Sequence, residues 1–150
     1  EETLPAGRVV IVGGGLVGCE LAVYLTEEKG YTDVTVIEGA NELMSGGYEP
    51  MPLPNKLMLI DLMKFHGVKV LTSTMLDHID GNKVYVKRSG EVSALETDSV
   101  VMSIGFNAND ELYREINENI PKKVWLLGDA KMPSNIMFGI RDANAIAREI

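Results

Sequence analysis

The chain has 150 residues, 45% hydrophobic and 24% charged, with a formal net charge of −8. This is enough chain for one domain with a sizeable core, and the acidity speaks against nucleic acid or an anionic membrane as partner. No apolar run could span a bilayer, no signal-peptide pattern is present, and a single cysteine, Cys19, excludes a disulfide framework and a C-x-x-C pair and points to a reducing cytoplasm.

Taken in order, residues 1–7 read as a linker punctuated by Pro5 and Gly7. The first residue is Glu1 rather than methionine, which suggests a piece of a longer chain. Residues 8–12 form an apolar strand, and 16–29 a helix that buries Leu16, Val17, Leu21 and Leu25 and stops at Gly30. A second strand covers 34–38. Residues 39–55, with Gly46, Gly47, Pro50, Pro52 and Pro54, form a surface loop that could fold over a ligand. A helix over 55–66 presents Leu57, Ile60 and Met63, and a third strand covers 68–71. Then the rhythm changes. Segments 74–79, 83–88 and 91–97, split by Asp80-Gly81-Asn82 and Ser89-Gly90, predict a three-stranded antiparallel meander in place of a crossover helix. Val84 and Val86 alternate with Lys83, Tyr85 and Lys87, so one face is covered. A fourth core strand spans 99–104. Asn109 caps a short helix through Ile116, a fifth strand spans 124–127, and a last helix begins at Ser134 or Asn135 with Ile136, Ile140, Ala143, Ala147 and Ile150 on one face. The expected fold is α/β: a Rossmann-like parallel sheet with helices on both faces and the antiparallel meander as crossover.

The chemistry concentrates where the first strand meets the first helix. Gly13, Gly15 and Gly18 have the G-x-G-x-x-G spacing, after a strand and at the start of a helix. Gly13 permits the tight turn, Gly15 leaves room for a pyrophosphate, and Gly18 lets the helix pack close. Gly14, Leu16 and Val17 complete the turn and the helix start, whose free N–H groups and positive dipole end suit phosphates. Glu38 ends the second strand at the distance expected of a carboxylate for the ribose hydroxyls. It would repel a 2′-phosphate, and no arginine lies between Glu38 and Met51, so NAD(H) is expected over NADP(H). Cys19 reads as a small packing residue. His66 and His78 lie in different elements without metal-ligand spacing, so no metal is expected.

The turn at 12–20, Ser-Ile-Gly at 103–105 and Leu-Leu-Gly-Asp-Ala at 126–130, with the meander between, make the chain resemble the NADH-binding domain of the two-dinucleotide flavoprotein superfamily, which includes glutathione reductase. The stretches at 18–25, 109–113, 133–137 and 147–150 are most similar to the C-terminal region of the multi-domain old yellow enzyme family: 2,4-dienoyl-CoA reductase, 2-enoate reductase and trimethylamine dehydrogenase. The resemblance implies a parent with an FMN barrel, an iron–sulfur cluster and an FAD domain interrupted by this NADH domain. Residues 8–105 would then be the NAD-binding domain and 106–150 the return segment of the FAD domain. An apolar patch is expected where the flavin domain packs, and with it self-association. The isolated chain would turn nothing over.

By the same resemblance Glu20 lies towards the nicotinamide, Gly105 sits beside the nicotinamide half, and Asp129 binds the flavin ribityl chain. Each keeps a plainer reading: a solvated glutamate at the helix start, a simple turn, and a cap for the next segment. Asn107-Ala108 replace the Arg-Pro pair that often follows this glycine in the family. Two other readings stand beside the ene-reductase parent, namely the NADH domain of a disulfide reductase or NADH oxidase, and a non-catalytic NAD(H)-sensing Rossmann domain.

Overall fold

The computed structural model describes residues 4–46 and 52–150. Gly47 and Pro50 of the expected surface loop lie outside these residues. The chain divides into two compact units, Glu1–Gly105 and Phe106–Ile150.

In the first unit, strands β1 (Val9–Val12), β2 (Val34–Ile37), β3 (Lys69–Leu71) and β7 (Ser99–Met102) form a parallel sheet of order β3-β2-β1-β7. β1 and β2 are buried along their whole length, which is why they read as continuous apolar runs. Helices α1 (Leu16–Glu27) and α2 (Leu53–Phe65) connect β1 to β2 and β2 to β3. The two faces of the sheet are covered differently. Val9, Ile11, Val34 and Val36 pack with Cys19, Ala22, Val23 and Leu25 of α1 and with Leu59 and Met63 of α2. Val10, Val12 and Ile37 pack instead with Val84 and Val86 of the meander β4 (Thr74–Asp80), β5 (Lys83–Arg88) and β6 (Glu91–Glu96). Both helices of this unit therefore share one face, and the meander serves as crossover and as cover for the other.

Two expected faces are corrected. Leu16 and Val17 are not buried; they are 42% and 54% exposed. They sit on the first turn of α1, past the end of β1, where no strand lies beneath them. The buried stripe starts at Gly18 and Cys19. In α2, Leu57 is exposed and Leu59 is buried beside Met63, so the inward stripe is rotated from the expected one. Residues 4–7 have no regular structure but are tied down: the Tyr31 hydroxyl donates to Pro5 O, and Ala6 exchanges hydrogen bonds with the Ser99 hydroxyl.

In the second unit, α3 (Glu111–Asn119) runs three residues past the expected end. Asp110 is its N-cap residue, and Asn109 Oδ1 accepts from Glu111 N–H at 3.2 Å. The expected strand at 124–127 does not form: these residues carry no ladder, because no strand is available beside them. A 3-10 turn at Gly128–Ala130 leads to α4 (Ile136–Ala147), which starts about where expected and is capped by Asn135, whose side chain accepts from Phe138 N–H at 3.1 Å. No residue of this unit is buried, and Ile136, Ile140, Ala143, Ala147 and Ile150 all face solvent.

Candidate functional site

The site is built at the carboxyl edge of the parallel sheet. β1 hands the chain to Gly13, whose φ of +110° a side chain rarely tolerates. A Cβ there would lie 2.2 Å from Ser103 O, on the strand end next door. Gly13 N–H donates to Ile37 O (2.9 Å) and Ser103 N–H to Val12 O (2.7 Å), so the turn is pinned between β2 and β7. A Cβ on Gly18 would lie 2.1 Å from Gly13 O, so the first turn of α1 rests directly on the glycine turn.

Gly15 is different. A Cβ there would meet nothing within 4 Å. Gly15 is the N-cap of α1 in extended conformation, and no side chain caps the helix. Among the described residues the helix start therefore has no capping side chain, and the Cβ position of Gly15 is open. Leu16 and Val17 flank this opening with exposed apolar side chains, and Glu20 is exposed one turn along.

Glu38 follows β2 and is half-buried. Its Oε2 accepts from Gly14 N–H at 2.6 Å and its Oε1 from Ala40 N–H at 2.8 Å. An ionised carboxylate has roughly four acceptor positions, so about two stay free for other donors. The sequence reading missed what surrounds it. Leu43 and Met44 are each only 6% exposed, and Met44 N–H donates to Gly14 O at 2.8 Å. Their signal was an apolar pair in an otherwise polar loop. Cys19 is fully buried beneath the turn, with its Sγ donating to Gly14 O at 3.4 Å. Burial, then the Glu38 and Glu20 carboxylates, push its thiol up to about 11. It is thus a packing residue and a poor nucleophile.

Gly105 has φ +96° and lies three residues past β7, the neighbour of β1. The structure thus brings Gly13, Gly14, Gly15, Leu16, Val17, Gly18, Glu38 and Gly105 to one edge of one unit. Asp129 belongs to the other unit, where its Oδ1 accepts from Ser134 N–H at 3.1 Å, a bond in the segment ahead of α4, whose N-cap is Asn135. Two clefts, of about 360 and 540 Å³, lie at the opposite edge, around Arg8 and Asp33. There the Arg8 guanidinium grips Asp98 (3.1 Å twice) and Glu96 (2.6 Å), and Lys69 pairs with Asp33. Arg8 holds the Asp98 carboxyl below its ordinary range, first through its side chain and then through its backbone N–H. Among the described residues no three metal-ligating side chains converge, and no helix is long and apolar enough to cross a membrane.

Known proteins share this architecture. Cinnamate reductase of Clostridium sporogenes is 36% identical over 143 residues, covering 95% of this chain but 21% of that reductase, so the chain spans about a fifth of its length. A solved 2-naphthoyl-CoA reductase complex superposes with a TM-score of 0.83 at 24% identity, over 99% of this chain and 22% of that one. An FAD-dependent pyridine nucleotide-disulphide oxidoreductase from Desulfovibrio vulgaris is 31% identical with a TM-score of 0.55, over 73% of this chain and 27% of that one. Residues 1–138 match the pyridine nucleotide-disulphide oxidoreductase family, and the chain belongs to it.

Proposed function

We propose that the chain is an NADH-binding module of a flavin-dependent oxidoreductase, which presents the nicotinamide to a flavin held elsewhere. The observation that carries this is Gly15. Gly13, Gly14 and Gly18 have a Cβ position filled by the protein itself, whereas a Cβ on Gly15, at the start of α1, would meet no described atom within 4 Å, which leaves room there for a pyrophosphate. The pyrophosphate would lie there against the N–H groups of Leu16, Val17 and Gly18. Glu38 would accept from the two ribose hydroxyls with its remaining lone pairs, which favours NAD(H) over NADP(H). Glu20 and Gly105 would lie on the nicotinamide side. Bound there, the nicotinamide supplies the hydride; the chain binds and orients it.

Residues 106–150 would be the return segment of an FAD domain, with Asp129 towards the ribityl chain. Support comes from the absence of any buried residue in that unit, as expected of a segment whose neighbours lie outside this chain. The similarity to cinnamate reductase favours an ene-reductase parent of the old yellow enzyme type, with FMN and an iron–sulfur cluster in its other domains, over a disulfide reductase or a sensor. A cytoplasmic setting suits the free thiol of Cys19.

Calorimetric titration with NADH, NADPH and FAD in parallel tests this reading. NADH binding well above NADPH, with no FAD binding, is expected. Preference for NADPH would overturn the role of Glu38.

A further inference from the structure

Gly13 and Gly18 are required by backbone atoms beside them, whereas the Cβ position of Gly14 is filled by side chains. A Cβ at this position would lie 2.4 Å from Leu43 Cδ2, 3.0 Å from Glu38 Cβ and 3.2 Å from Glu38 Oε2. Gly14 also uses both its backbone groups locally: N–H to Glu38 Oε2, C=O from Met44 N–H. Met44 adopts φ +52°, an uncommon conformation for its type, and it and Leu43 are buried while Asn41, Glu42, Ser45 and Gly46 on either side are exposed. A loop bends inward in this way only where its apolar side chains find a seat, and here the seat is the missing side chain at position 14.

We propose that Gly14 and Leu43 are positioning residues for Glu38. Leu43 fills the space that glycine leaves, Met44 latches the loop to the turn, and the closed loop presents Ala40 N–H to the carboxylate. Held on two backbone donors, Glu38 has one orientation, with its free lone pairs in a fixed place. Discrimination between NADH and NADPH is therefore set partly by two residues that have no donor or acceptor to offer the ribose. The inference rests on the dinucleotide reading of the site.

The test is a cycle of Gly14→Ala, Leu43→Ala and the double variant, read by amide hydrogen exchange at positions 14, 40 and 44 and by the ratio of NADH to NADPH affinity. Each single variant is expected to speed exchange at these amides. Each is also expected to lower the ratio about tenfold, the scale of one hydrogen bond to a charged group. The double variant restores part of both, because the new methyl occupies the space the leucine vacates but still lies 3.0 Å from Glu38 Cβ. Single variants that leave exchange and ratio unchanged, or a double variant no better than Gly14→Ala, would overturn the proposal. Should Gly14→Ala fail to fold, Leu43→Ala alone decides through exchange at 40 and 44. Equal NADH and NADPH binding by the unaltered chain would instead sink the reading of Glu38, and the exchange pattern alone would then support or overturn the positioning.

Discussion

At the amino edge of the parallel sheet, charged side chains satisfy one another: Arg8 with Asp98 and Glu96, Lys69 with Asp33. At the carboxyl edge, the helix start at Gly15 and half the acceptor capacity of Glu38 find no partner among the described residues. The amino edge holds the sheet together, and the carboxyl edge is arranged for a ligand, in keeping with where open α/β sheets bind them. The clefts at the amino edge are lined by charges that are already paired. An open surface with unspent donors is the better site.

Substitutions should separate the two edges. Gly18→Ala puts a methyl 2.1 Å from Gly13 O and has to move the helix off the turn. A loss of about 3 kcal/mol in stability is expected, read from the urea midpoint. Glu38→Ala should weaken NADH about tenfold while leaving NADPH affinity in place, measured by calorimetry. At the amino edge, the folded Asp98 carboxyl titrates below its unfolded value. Its stabilisation is then fully present above the ordinary carboxylate range and is lost as pH falls through the folded value. Asp98→Asn should flatten the fall in melting temperature below about pH 4, by a small amount because the pair is half exposed, without altering NADH affinity.

Much of the first unit was legible in the sequence because its patterns are satisfied inside the chain. The runs at β1 and β2, the alternation of Val84 and Val86 and the turns around Gly81 and Gly90 all appear as expected. The glycine spacing placed the turn, and the Glu38 carboxylate accepts from Gly14 N–H within it. Three features were hidden for distinct reasons. Leu16 and Val17 look like core residues, but the helix starts beyond its strand, so chain position overrides hydrophobicity. Leu43 and Met44 lack periodicity, and only the folded turn shows what they fill. The stretch at 124–127 has strand composition but no partner, and a strand exists only by pairing. The α4 face led by Ile136 and Ile140 is likewise apolar, yet exposed within this chain.

The most direct test is Gly15→Val, followed by NADH titration and thermal melting side by side with the unaltered chain. A Cβ at position 15 meets no described atom within 4 Å, so the chain should still fold, with a small loss in melting temperature from valine at the helix N-cap. NADH affinity should fall at least about 100-fold, because the valine occupies the place of the pyrophosphate. Unchanged NADH binding in a folded Gly15→Val chain would contradict the account, since the space over Gly15 would then hold no dinucleotide.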